Sequence, residues 1–341
     1  MDWNRRARRV GWTAVACAVI LRLYLAGAFS AAADWVGAHT DFLLYLETGR
    51  RLSSREAEFV FLPESPAPSV PPETTPAEPP QAGAALPEIP EEPLPEIPEE
   101  TLPEITYACD LRPDIPALLE EKAVFSLRQE KPTVLILHTH TTESYTKSRE
   151  PYEESSDYRT LDENYNMLSI GAEVARQLEA GGIRVIQDRQ LHDYPSYNGS
   201  YTHARKAIQS LLSENPAIQL ILDLHRDAAD TPRGQLRTVA EVDGTRSAQL
   251  MLVVGSNASG RKHPDWERNL ALALQLQTRL ELCAPGITRP TVLRGQRFNQ
   301  DLSTGALLVE VGAAGNTHAE ALRAADVLAE AILSLADGNV S

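Results

Sequence analysis

The chain reads as an α/β protein whose mainly parallel sheet is flanked by helices on both faces, preceded by a membrane anchor and a disordered stalk. Three observations lead there. From about Tyr107 onward, short apolar runs alternate with segments whose apolar residues recur at helical spacing, the signature of strand–helix–strand units. Upstream of that point, 14 of the 24 prolines fall between Leu62 and Ile105. Further upstream, Arg5, Arg6, Arg8 and Arg9 lead into an apolar run from Val10 to Phe29.

The elements follow in order. Residues 1–34 read as a basic cytoplasmic tip and a transmembrane anchor, because basic residues on the inner side orient such a segment with its C-terminus outside. Arg22 interrupts the run and Ala-Phe-Ser-Ala-Ala-Ala (28–33) resembles a cleavage site, so a cleaved signal peptide is the competing reading. Either way the remainder is exported. Residues 35–61 are a juxtamembrane helix or spacer. Residues 62–106 are a linker: Leu-Pro-Glu-Ile-Pro-Glu-Glu recurs at Leu86 and Leu94. Proline removes donors there and repelling glutamates extend the chain.

The catalytic part is expected at 107–341. Val134–Leu137 is a buried strand. A helix spans Asn164 to Gly181, with Met167, Ile170, Val174 and Leu178 on one face and glycines as its stop. Strands are expected at 183–186, 218–224, 250–254 and 307–311, and helices at 201–212, 265–282 and 317–336. Residues 236–242 are expected to add an antiparallel edge strand.

Composition narrows function. The chain has 341 residues and a formal charge of −15, which argues against nucleic-acid binding. Most of that acidity is the linker, which holds ten glutamates and no Lys, Arg or Asp. Cys17, Cys109 and Cys283 make no disulfide framework. No serine sits in a Gly-x-Ser-x-Gly elbow, and no phosphate-binding glycine loop is present.

Ionisable residues gather instead at three strand ends, where open α/β sheets build their sites. The first strand leads into His138-Thr-His140-Thr-Thr-Glu143, the second into Asp223-Leu-His225-Arg226-Asp227, and the third carries Glu310. Two histidines and a carboxylate suit a catalytic zinc ion. His140, Glu143 and His225 are the candidate ligands, with Glu310 left as general base. His138 either replaces His140 or sits behind the ligands. Each residue taken singly also has an ordinary structural explanation.

The runs LILHTHTTESYT (135–146), PSYNGSYTHAR (195–205), ILDLHRD (221–227), RFNQDLS (297–303) and LLVEVGAAGNTHAEA (307–321) together resemble the stage II sporulation protein P family of membrane-anchored peptidoglycan hydrolases. The resemblance covers roughly 133–335 and omits the stalk. It implies a zinc-dependent N-acetylmuramoyl-L-alanine amidase with a zinc amidase or exopeptidase fold, acting on septal peptidoglycan during engulfment. His140, Glu143, His225 and Glu310 are the matching site positions. Related amidases often place the carboxylate ligand at the start of the next helix, which makes Glu163 the alternative to Glu143. The resemblance also implies cutting of peptide cross-links and a partner in the sporulation lytic transglycosylase, stage II sporulation protein D. Arg226 then either binds a stem-peptide carboxylate or holds the Asp223/Asp227 loop. Tyr197, Asn198, Tyr201, Asn299 and Gln300 are expected to line a glycan and peptide groove. The rival readings are a zinc carboxypeptidase or endopeptidase of stem peptides and a non-catalytic wall-binding anchor.

Overall fold

The computed structural model describes residues 103–120, 125–148, 150–152, 154, 158–231 and 234–337. The expected anchor, the juxtamembrane segment and the stalk up to residue 102 lie outside the described residues. Among the described residues no helix is long and apolar enough to cross a membrane.

The strands are β1 (Ile105–Ala108), β2 (Val134–Leu137), β3 (Val185–Gln187), β4 (Leu220–Asp227), β5 (Asp230–Thr231), β6 (Gly234–Gln235), β7 (Val239–Val242), β8 (Thr245–Ala248), β9 (Leu250–Gly255), β10 (Thr291–Arg294) and β11 (Ala306–Ala313). The helices are α1 (Ile115–Glu120), α2 (Met167–Ala180), α3 (Ser200–Glu214), α4 (Trp266–Cys283) and α5 (His318–Asp337). Seven strands form one sheet in the order β1-β10-β9-β11-β4-β2-β3. All neighbours are parallel except β9 and β11. The sheet is therefore two parallel blocks of opposite direction, joined along β9 and β11.

Strand alternation decides what faces what. Val134, Ile136, Leu220, Leu222, Leu224, Leu252, Val254, Leu307, Val309 and Val311 point to one face, where α2, α4 and α5 cover them in the main core. In α2, Met167, Ile170, Val174 and Leu178 are fully buried, each contributing roughly 1.5–3 kcal/mol. The Asn166 side chain caps this helix by accepting from the Leu168 N–H. Gly182, at φ +83°, turns the chain away beyond its end.

The opposite face is covered unevenly. Helix α3 packs Ala204 and Ile208 over Leu135, Leu137 and Ile221. Beyond it, Met251, Val253 and Leu308 form a small separate cluster with Val292 and Phe298 against them. No helix belongs to that second cluster; the β10–β11 loop, through Phe298, closes over it. Helices thus lie on both faces, but the second face carries one only over the β2–β4 side. His225 and Glu310 lie on this face.

Three local expectations are corrected. The Leu236–Val242 segment contributes β7, but β7 pairs antiparallel with β8 in a separate ribbon and not at an edge of the main sheet. Ile105 and Thr106, which the proline pattern assigns to the linker, belong to β1 and pair with Thr291 and Val292. Strand β10 escapes sequence reading because TVLR holds only two apolar residues between Pro290 and Gly295.

Candidate functional site

Leaving β2, the chain turns through His140 to Glu143, and both side chains are buried. His225 lies in β4, and Glu310 is its register partner in β11. Both project to the face that α3 only partly covers, in phase with Ile221 and Leu308 respectively. The His140 and His225 rings meet edge to face with centroids 5.2 Å apart. Glu143 Oε2 lies 3.5 Å from His225 Nδ1. Glu310 and His140 line one small pocket with Tyr197, Tyr201, Arg294 and Phe298. The four expected site residues are therefore brought together.

Each imidazole also has a protein group at its Nε2. The Tyr197 hydroxyl lies 3.0 Å from His140 Nε2, and the Tyr197 ring stacks on His140 at 4.4 Å. Asp223 Oδ1 lies 3.0 Å from His225 Nε2. Asp223 itself accepts from the Thr139 N–H at 2.8 Å and the Thr139 hydroxyl at 2.6 Å, which ties β4 to the end of β2.

The electrostatics are strongly coupled. Burial alone would raise the Glu143 pKa, but Arg226 and then His225 outweigh it and hold the carboxyl well below its usual range. Arg226 Nη1 is 3.7 Å and Arg159 Nη2 is 3.6 Å from Glu143 Oε1. Burial would lower the His225 pKa, but Asp223 and then Glu143 reverse this and lift it to about 10. Arg159 is held in turn by the buried Asp193 at 2.8 Å, and its guanidinium lies over the Tyr197 ring at 4.9 Å.

A family model, that of stage II sporulation protein P, matches residues 80–333. The chain belongs to that family. It is 30% identical over 212 residues to Stage II sporulation protein P of Bacillus subtilis (strain 168), covering 59% of this chain and 50% of that one. The match thus spans half the length of that relative. Among solved structures, the CwlD amidase from Clostridioides difficile in complex with the GerS lipoprotein is 16% identical with a TM-score of 0.39, covering 60% of this chain and 99% of that one. The N-acetylmuramoyl-L-alanine amidase AmiC2 of Nostoc punctiforme is 14% identical with a TM-score of 0.35, covering 60% and 96%.

In this member of the stage II sporulation protein P family, several expected site residues stand elsewhere. His138 is in phase with Val134 and Ile136, so it points to the α2 face. There its Nδ1 lies 3.2 Å from the Leu224 carbonyl, and burial pushes its pKa down to about 4. It is a neutral core histidine. Glu163 is exposed and pairs with Arg189, away from the histidines. Arg226 alternates to the face opposite His225 and is buried. It donates to the Ser144 carbonyl at 3.1 Å and the Tyr158 carbonyl at 3.3 Å. Asp227 pairs with Arg289 instead. The structure thus places Arg226 on the Ser144 and Tyr158 carbonyls and beside Glu143, with Asp227 on Arg289. Gln300 is buried too: its Oε1 accepts from the Gly255 N–H and its Nε2 donates to the Val253 carbonyl. Asn299 donates to the Tyr201 carbonyl at 2.8 Å, and Tyr201 sits edge-on to His140. Asn198 is exposed on the approach to α3. Arg159, Asp193 and Arg294 were not foreseen. Arg294 ends a strand that the sequence pattern does not reveal.

Two imidazoles and one carboxylate are the donor types of a catalytic zinc site. Among the described residues no three His, Cys, Asp or Glu side chains already surround one point. His140, Glu143 and His225 nevertheless fit such an ion in type, in burial and in mutual contact. A protein group at the far nitrogen is also how ligating histidines are oriented, and Tyr197 and Asp223 occupy that position.

Proposed function

We propose that the chain is an exported, membrane-tethered peptidoglycan hydrolase of the zinc-dependent N-acetylmuramoyl-L-alanine amidase type, acting on septal wall during sporulation. The observation that supports this most directly is the pairing of Glu310 with His225 on adjacent strands, with His140 and Glu143 beside them. Family membership supports the same reading.

His140, Glu143 and His225 would hold the zinc ion, which when bound supplies Lewis acidity and an activated water. Glu310 is placed to take the proton of the attacking water on its carboxylate and return it to the leaving amine. Tyr197 and Asp223 keep the two imidazoles oriented. Tyr201 and Phe298 line the same pocket as Glu310.

The test uses the full-length chain on purified peptidoglycan, with products separated by mass. Free glycan and released stem peptides with new L-Ala amino termini are expected. Shortened peptides still attached to muramic acid would overturn the amidase assignment in favour of a peptidase. Glu310→Gln should lower the rate by roughly 10²–10⁴ while its zinc content stays that of wild type. His140→Ala and His225→Ala should lose zinc, whereas His138→Ala should retain it.

A further inference from the structure

A cavity of about 330 Å³ adjoins the Glu310 pocket, sharing Tyr201 and Phe298 with it. Three arginines from three separate segments line it: Arg205 of α3, Arg261 of the β9–α4 loop and Arg297 of the β10–β11 loop. Arg205 forks Asp301 with two contacts of 2.8 Å, and Arg297 reaches the same carboxylate at 3.1 Å. Two guanidinium groups share one carboxylate, so positive charge remains in excess. Arg261 adds to it, and among the described residues no carboxylate pairs with Arg261. A cationic cavity in a chain of net charge −15 is a local inversion of sign.

The cavity is also rigidly built. Phe298 and Asn299 hold left-handed backbone at φ 49° and 59°, and Asn299 fastens Tyr201. Gln300 clamps the loop to β9 through two buried hydrogen bonds. Such preorganisation lowers the cost of binding, and the volume falls in the range of small-ligand sites.

Resting on the amidase reading, we infer that this cavity binds the carboxylate-bearing stem peptide on the amine side of the scissile bond. The planar arginine fork matches carboxylates. Asp301 already takes the Arg205 fork, leaving the surplus charge with Arg261 and Arg297, and the acetylated glycan carries no charge that would call for it.

The experiment measures binding, without turnover, to the full-length chain. The probes are a synthetic stem peptide with free carboxylates and the same peptide with those carboxylates amidated. Wild type should bind the free-carboxylate peptide about tenfold more tightly, the equivalent of roughly 1.4 kcal/mol. Arg261→Gln and Arg297→Gln should each remove most of that preference and leave the amidated peptide unaffected. Arg261 is exposed, so its variant keeps the fold and the test stays decisive if Arg297→Gln does not fold. Equal binding of both peptides, or no change in Arg261→Gln, would overturn the assignment. So would arginine-dependent binding of poly(glycerol phosphate) with none of the peptide, which would make the cavity a site for anionic wall polymer. A chain that shows the peptide preference yet hydrolyses nothing would overturn the amidase reading and keep the cavity. One that hydrolyses wall without the preference would do the reverse.

Discussion

Gly255→Ala should separate the architecture of the site from its chemistry. A Cβ at position 255 would lie 2.3 Å from the Gln296 carbonyl oxygen and 2.8 Å from Arg297 Cα and C. All three are backbone atoms, so no side chain can swing aside. The loop would have to retreat by roughly 1 Å to reach ordinary contact distance. It cannot do so without straining the Gln300 clamp, whose bonds to Gly255 and Val253 are 2.7 and 2.8 Å long and buried. Overpacking of this kind costs about 1–3 kcal/mol, and an unmade buried hydrogen bond adds about 1–3 kcal/mol. The smaller unfolded-state entropy of alanine offsets only about 0.5–1 kcal/mol. A net loss of about 1–5 kcal/mol is therefore expected, read as a lower urea midpoint at unchanged m-value. Hydrolysis should fall as well, because Asn299 on the same loop positions Tyr201 against His140. Zinc content should not change, since no proposed ligand sits on that loop. An unaltered midpoint together with full activity would refute the reasoning.

Other perturbations test other parts of the structure. Asp223→Ala leaves the buried Thr139 N–H and hydroxyl without their acceptor and should cost roughly 2–5 kcal/mol. Asp223→Asn keeps the shape and should weaken zinc binding by about 10–100-fold in a chelator competition; unchanged affinity would count against its orienting role. Gly171→Ala would bring a Cβ within 2.5 Å of His138 Nε2 and Gln187 Nε2. The overpacking cost of about 1–3 kcal/mol exceeds the helix gain of about 0.5–1 kcal/mol, so the melting temperature should fall, and a rise would show that the contact yields. Burial pushes the Cys283 thiol up to about 11 from 9, so it stays protonated at neutral pH. Its alkylation should rise about tenfold per pH unit between 8 and 10. At pH 8 it should react about 100-fold faster in the urea-unfolded chain. Mass spectrometry at Cys283 checks both, and equal folded and unfolded rates would contradict the burial effect.

Much of the fold was legible because the long elements repeat their signal. Helix α2 announces itself through four apolar residues at helical spacing and two terminal glycines. Strands β4, β9 and β11 are apolar runs too long to miss. The edge strand β1 and its neighbour β10 are short and half-buried, so they leave no pattern. The site was legible as a set of residues but not as a geometry. His225 and Glu310 are register partners only because β11, last in sequence, inserts beside β4, and no local signal carries strand order. His138 and His140 could not be told apart for a related reason. Strand β2 is buried on both faces, so Val134–Leu137 shows no polar alternation to say which face position 138 would take. The orientation of Arg226 was hidden similarly: alternation along β4 turns it away from its neighbour His225, to within 3.7 Å of Glu143. Glu143 and Glu163 differ in burial, which sequence spacing cannot weigh.

The last strand in sequence is the middle strand in space. Without β11, strands β1, β10 and β9 make one block and β4, β2 and β3 another, with opposite directions and no strand pairing between them. Residues 306–313 therefore do two things at once: they zip the halves together and bring Glu310, the proposed proton acceptor, beside His225. A chain stopped just short of them would keep His140, Glu143 and His225 yet have neither a continuous sheet nor Glu310. On the reading proposed above, in which an exported hydrolase crosses a membrane before it meets the wall, this couples competence to completion. On that reading the proposed base, Glu310, rides on the strand that joins the two halves of the sheet.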